Sequence, residues 1–211
     1  MDPRRLIALL TELPWTGYAK DLNPASVEIR QPFWQWSLMA RALVPTVLAH
    51  DSRIVSITGS QGSGKSTLAR MLVQEFKAQG VTAACVSLDD FYLSKQHREK
   101  LGHSVHPLLA TRGVPGTHDT GRLGEVLDQF ADSKGARDMR LPQFDKGLDD
   151  RVEDLYVEAE VLVFEGWCLG VQPQPAELLQ QPVNDLERLE DSQGIWRQWC
   201  NEQIHQHYQP L

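Results

Sequence analysis

Residues 53–58 read RIVSIT, a short β-branched run, and residues 59–66 read GSQGSGKS, which satisfies G-x-x-x-x-G-K-[ST] at every fixed position. From Lys65 onward the apolar residues Leu68, Met71, Leu72 and Phe76 recur at helical spacing until Gly80 ends the pattern. A buried strand, a glycine-rich loop and a helix in this order constrain the chain more than any other feature. The glycines let successive backbone N–H groups turn inward, and the helix N-terminus adds partial positive charge, so the loop is shaped to cradle a β-phosphate. Lys65 would then reach the β- and γ-phosphates, and the Ser66 hydroxyl would take one position on Mg²⁺. The nucleotide contacts expected from this loop are Gly59, Ser60, Gln61, Gly62, Ser63, Gly64, Lys65, Ser66 and Thr67, with ATP and Mg²⁺ as the cofactors.

Two further apolar runs, TAACVSL at 82–88 and VLVF at 161–164, read as buried strands. Strands alternating with helices predict an α/β fold of the P-loop type, a parallel sheet flanked by helices. The first fifty residues predict a helical extension. Leu6, Leu9 and Leu10 share one helical face, and a second helix from about Phe33 to His50 carries Trp34, Leu38, Ala42, Val47 and Leu48. Pro45 should kink or interrupt that helix, and its tryptophans read as packing residues. No repeat or low-complexity tract breaks the remainder.

The charge balance narrows the partners. With 21 Lys+Arg against 28 Asp+Glu the formal charge is -7, which argues against a nucleic-acid or membrane surface as the main partner, since both need cations. A mean hydropathy of -0.36 and the lack of a long apolar run predict no spanning helix. Cys85, Cys168 and Cys200 are widely spaced and form no CxxC, so neither a disulfide framework nor a zinc site is expected. The start, MDPRRLIALLTELPW, reads as an amphipathic helix rather than a signal peptide, and a cytoplasmic location is the default.

Both later strands end in acid. The second continues into Asp89-Asp90-Phe91-Tyr92 and the third into Glu165-Gly166, at the strand edge where open α/β sheets bind ligands. Phosphoryl transfer to an alcohol needs one carboxylate to accept the hydroxyl proton and another to help hold Mg²⁺, and Asp89 and Glu165 suit those roles. Lys65, Asp89 and Glu165 are the expected catalytic set, and Ser66 and Glu165 the expected Mg²⁺ contacts. Residues 92–122 carry a net +3, from Lys95, Arg98, Lys100, Arg112 and Arg122 against Glu99 and Asp119. Lys95 to Lys100 read as a solvated basic helix. Arg112 lies in a proline- and glycine-rich loop and suits an acceptor bearing a carboxylate or phosphate. Neither His103 with His106 nor His205 with His207 has the spacing and company of a metal site.

At these residues the sequence resembles the D-glycerate 3-kinase group within the wider phosphoribulokinase, uridine kinase and pantothenate kinase family. The segments that carry the likeness are GSQGSGKST, SLDDFYLS, HPLLATRGVPGTHD, LPQFDKGLDDR and VLVFEGWCLG. The resemblance implies transfer of the ATP γ-phosphate to a hydroxyl of glycerate. It places the proton acceptor at Asp89, the family's strand-end Glu-Gly at Glu165, and Asp90, Tyr92, Arg112, His118, Asp119, Asp145 and Lys146 near the acceptor. Members of the group continue past a helix like Gly194 to Tyr208 with a further strand, a basic lid and a region closing on adenine, whereas this sequence ends at Pro210-Leu211. Only three parallel strands are legible where such sheets usually hold about five. The expected kinase domain over residues 51–211 is therefore a C-terminally shortened one. The alternatives are another small-alcohol kinase, of pantothenate or nucleoside type, and an ATP-binding module with little transfer activity.

Overall fold

The structure, a computed structural model, describes residues 2–13, 34–131 and 135–211. Helices α1 (Pro3–Thr11) and α2 (Trp34–Ala49) precede strand β1 (Ile54–Thr58), helix α3 (Lys65–Ala78) and strand β2 (Ala83–Ser87). A 3-10 turn, Leu88–Phe91, leads to α4 (Lys95–Ser104), a second such turn, Pro107–Ala110, and α5 (Thr120–Ala131). Strands β3 (Arg137–Asp145), β4 (Asp150–Ala159) and β5 (Val161–Gly166) follow. The chain then forms α6 (Asp185–Glu190), α7 (Ile195–Gln203) and a π turn, Ile204–Tyr208. It divides into two compact units: Met1–Val86 with Phe130–Met139 and Tyr156–Trp167, and Ser87–Gln129 with Arg140–Leu155 and Cys168–Leu211.

The three apolar runs form one sheet in the order β1-β5-β2. Strand β5 lies in the middle and is buried at every residue, as a strand covered on both faces must be. It pairs in parallel with β1, from Ile54 opposite Leu162 to Thr58 opposite Gly166. This register carries the end of β1, where the glycine loop begins, level with Glu165. Leu68, Ala69, Leu72 and Phe76 of α3 pack with Val161 and Val163 of β5, and Ala40 and Val44 of α2 join the same core. At roughly 1.5–3 kcal/mol for each large side chain, this burial fixes where α3 starts.

The N-terminal helices depart from expectation in two details. Helix α2 runs through Pro45 without interruption. Buried Leu38, Ala40, Ala42 and Val44, in the turns before the proline, hold it by packing that outweighs the lost N–H bond. In α1, Leu10 is buried beside Leu38 and Ala42, with Leu6 packed against them, whereas Leu9 is 46% exposed. Residues 14–33, including the start expected at Phe33, lie outside the described residues.

Two strands went unread in the sequence. The segment LPQFDKGLDDR, quoted above only for the family likeness, is the end of β3, a turn and the start of β4, and these strands form their own two-stranded sheet. Four connecting residues allow only an antiparallel hairpin. Pro142 inside the first strand and the acidic run of the second hid the pattern, and both are tolerated because a two-stranded ribbon consists of edges. Helix α4 brings another correction. Lys95 and Lys100 are exposed as expected, but Arg98 is fully buried. Its Nε donates to Leu93 O at 3.1 Å and its Nη2 to Asp149 O at 2.7 Å, with Asp149 Oδ2 at 3.0 Å. A buried guanidinium needs such company, and the partner comes from the hairpin turn. No helix among the described residues is long and apolar enough to cross a membrane.

Candidate active site

The first unit presents the glycine loop. Gly64 is the N-cap of α3 at φ +92°, and a Cβ there would lie 2.5 Å from Cζ2 of Trp36. Glycine is required on both counts, and Trp36 of α2 is the packing wall behind the loop. Ser63 N–H donates to Ser60 O at 3.2 Å, and Lys65 Nζ curls over the loop to the same carbonyl at 3.0 Å. Gln61, Gly62 and Ser63 are exposed at the tip; Gly59 and Ser60 form its root, and Thr67 follows in the first turn of α3. The hydroxyl of Ser66 donates to Glu165 Oε1 at 2.7 Å, joining the loop to the buried carboxylate at the end of β5. Two hard oxygen donors at this separation form a set that suits Mg²⁺.

The second unit builds a carboxylate cluster. Ser87 caps the 3-10 turn after β2: its Oγ accepts from Asp89 N at 3.2 Å, and Asp90 Oδ2 accepts from Ser87 N at 3.0 Å. This capping box separates the two neighbours. Asp90 closes the turn. Its carboxyl is pushed up, chiefly by burial, with backbone donors at Ser87 and Phe144 opposing and the nearby charge of Asp89 adding. Asp89 instead accepts from Tyr92 Oη at 2.9 Å and from Lys146 Nζ at 2.6 Å, one donor on each oxygen. Burial alone would raise its carboxyl, but the hydrogen bonds from Lys146 and Tyr92 outweigh it and hold the group below the usual carboxylate range.

Around Asp89 the elements lock together through backbone and ring contacts. Tyr92 and His118 form an isolated antiparallel bridge, and their rings stack at 4.5 Å. Phe144 of β3 meets Tyr92 edge-on at 5.3 Å. Arg112 pairs through Nη1 with Asp149, reaches Lys146 O with Nη2 at 3.5 Å, and lies 5.7 Å from the Phe144 ring centre. Its charge therefore anchors the hairpin turn that carries Lys146. Two of the expected residues serve the scaffold. Asp119 accepts from Arg122 N at 3.0 Å at the start of α5 and pairs with Arg151 at 2.7 Å. Asp145 Oδ1 accepts from Gly147 N and Leu148 N at 2.7 and 3.0 Å, shaping the turn itself. Asp149, Arg151 and Tyr208 were missed. Asp149 and Arg151 were recoverable from the hairpin, had its turn been recognised. Tyr208 has no local signal.

A profile of the phosphoribulokinase/uridine kinase family matches residues 54–184. The chain belongs to that family. It is 33% identical over 171 residues to the "Uncharacterized kinase mug58" of Schizosaccharomyces pombe, covering 75% of this chain and 60% of that one. It is 32% identical over 146 residues to the chloroplastic D-glycerate 3-kinase of Arabidopsis thaliana, covering 64% of this chain and 32% of the relative. Among solved structures, D-glycerate 3-kinase from Cryptococcus neoformans var. grubii superposes with a TM-score of 0.63 at 28% identity, over 80% of this chain and 68% of that one. The chain thus spans between a third and three fifths of the length of these two curated relatives.

Proposed function

We propose that this chain supplies the nucleotide grip and the proton acceptor of an ATP-dependent kinase acting on a hydroxyl of a small hydroxy acid, with D-glycerate the first candidate and 3-phosphoglycerate and ADP the products. The observation that carries the reading is Asp89, a carboxylate kept ionised by donors on both oxygens directly after a strand of a P-loop sheet. In the reaction the acceptor oxygen bonds to the γ-phosphorus as the bond from that phosphorus to the ADP oxygen breaks. The hydroxyl proton passes to Asp89 and from there to water. The backbone of residues 59–64 and Lys65 hold the phosphates. Ser66 and Glu165 would hold Mg²⁺, which when bound neutralises the phosphate oxygens. Lys146, 61% exposed at its side chain, is the cation free to leave Asp89 for the acceptor's own carboxylate. D-glycerate 3-kinases among the relatives support the acceptor, and a net charge of -7 argues against a polyanionic substrate.

The test is γ-labelled ATP with Mg²⁺ and a panel of D-glycerate, L-glycerate, pantothenate and uridine. Label is expected in phosphoglycerate alone. Label in phosphopantothenate or a nucleotide would replace the acceptor class, and release to water regardless of acceptor would leave an ATP-binding module without transfer.

A further inference from the structure

The C-terminal π turn has no part in the reaction above, yet one of its side chains is tied to the Asp89 cluster. The Tyr208 hydroxyl accepts from Gly116 N at 2.8 Å and lies 2.6 Å from Nδ1 of His118. Gly116 sits at φ +92°, and a Cβ there would collide with the Trp199 ring and with Gln203 of α7. That glycine lets the loop come close enough for its N–H to reach Tyr208.

The protons can be placed by counting partners. A hydroxyl carries one proton, and the Gly116 N–H already occupies a lone pair of Tyr208. If Tyr208 donates to Nδ1, the neutral ring carries its proton on Nε2, and one group, Nε2, stays unpaired. If Nδ1 donates instead, both Nε2 and the Tyr208 proton lack partners. The first arrangement leaves fewer groups unsatisfied. His118 is 4% exposed, and burial, opposed only in part by the charge of Asp89, pushes its imidazole down to about 3, so the ring is neutral. Its Nε2 is buried without a partner among the described residues. An enclosed nitrogen is poorly suited to touch an acceptor, so His118, expected at the substrate, needs a different task. The ring offers its face: it stacks on Tyr92, whose hydroxyl holds Asp89 Oδ1.

We propose that Tyr208 is a positioning residue for Asp89, acting through His118 and Tyr92. Its hydroxyl fixes the tautomer and plane of His118, the stacked Tyr92 takes its orientation from that plane, and Tyr92 holds the carboxylate in one rotamer. The inference rests on Asp89 as the proton acceptor only for its kinetic consequence; the chain of contacts stands without it. The titratable and charged groups around Asp89 are Lys146 from the hairpin turn, Tyr92 and Asp90 from its own turn, His118 from the loop before α5, and the buried Cys168 thiol.

The decisive readout is the Asp89 carboxyl titration, followed by ¹³C NMR on the full chain. The wild type should titrate below 3.8. Tyr92→Phe should raise the midpoint by about one unit and Tyr208→Phe by roughly half a unit, the scale of one lost hydrogen bond and of its partial loosening. The double variant should move no further than Tyr92→Phe alone, since one residue acts through the other. Additive shifts, or no shift in a folded Tyr208→Phe, would overturn the proposal. If that variant does not fold, ¹⁵N spectra of the wild type decide: the His118 ring protonated at Nε2 and untitrated from pH 5 to 8 supports the relay, and a ring protonated at Nδ1, or one that titrates near 6.5, refutes it. Where transfer to glycerate is measurable, Tyr208→Phe should lower kcat about tenfold with the KM for ATP unchanged. A wild type that transfers to no acceptor would end the kinase reading and leave these NMR outcomes standing.

Discussion

The glycine loop draws its groups from eight consecutive residues, 59–66, whereas the Asp89 cluster draws side chains from Asp89, Tyr92, Arg112, His118, Lys146, Asp149 and Tyr208. In the proposed kinase the loop acts mainly through backbone N–H groups, so the identities of exposed Gln61 and Ser63 matter little provided Gly64 keeps its left-handed turn against Trp36. The cluster works through side chains that satisfy one another in pairs, so each member depends on elements far away in sequence. One site tolerates substitution and is specified locally. The other is specified by the whole unit and should fail through any of its supports.

The largest expected effect falls on the cluster. Asp89→Asn keeps the shape of the side chain but removes the proposed base, and turnover should fall about a hundredfold or more while calorimetric ATP affinity stays at the wild-type value. In the wild type the rate should be level through neutral pH and decline only as acid protonates Asp89, below the ordinary carboxylate value. A loss of ATP affinity equal to the loss of turnover would merge the two sites that the comparison separates.

Next in size is the matching change in the loop. Lys65→Ala removes a charge-assisted contact to phosphate and should weaken ATP binding by about 2 kcal/mol, roughly thirtyfold. Unchanged ATP affinity would remove the loop from the reading altogether.

These two sites also differ in how far they were legible. The loop needed only local pattern: the strand and the helix from Lys65 follow from contiguous residues, and the Ser66 pair with Glu165 follows once β1 and β5 are adjacent. Asp89 was readable from its place after a strand. Its clasp by Lys146 was not, because the β3–β4 hairpin that delivers Lys146 hides behind Pro142 and an acidic strand. Arg98 looked solvated since charge predicts exposure, and only the pairing with Asp149, fifty-one positions away, makes its burial tolerable. Arg112 was placed at the acceptor by its loop and its charge, yet its guanidinium grips the hairpin turn. Arg112→Lys should accordingly raise the acceptor KM about fivefold by loosening Lys146, with the KM for ATP unchanged; a fivefold change is about 1 kcal/mol.

Stability should show the same division through His118. Its folded value is depressed to about 3 against 6.5 when free, so its contribution is complete above 6.5 and is lost as pH falls from there towards 3. Denaturation followed between pH 7 and 4 should therefore show an uptake of about one proton on unfolding that is absent in His118→Gln. An identical pH dependence in the two proteins would mean that the ring is not held neutral.

The smallest effect comes from the other half of the Asp89-Asp90 pair. Asp90 closes the capping box on Ser87 N, so Asp90→Ala should cost about 1 kcal/mol of stability, the usual value of a lost cap. Asp90→Asn keeps an oxygen for that N–H and loses the buried charge. Because burial raises the folded value of Asp90, its contribution is fully present below the ordinary 3.8 and is lost as pH rises through the folded value. At neutral pH Asp90→Asn should thus match or slightly exceed the wild type in thermal unfolding, and the wild type should regain ground below about pH 4. Neither variant should change the turnover of folded protein. Adjacent carboxylates would then differ completely in consequence, Asp89 in rate and Asp90 in stability, because one turn of 3-10 helix points the first at Lys146 and folds the second back on its own cap. A turnover loss in Asp90→Asn as deep as that in Asp89→Asn would mean that the pair shares the proton and that the cap is incidental.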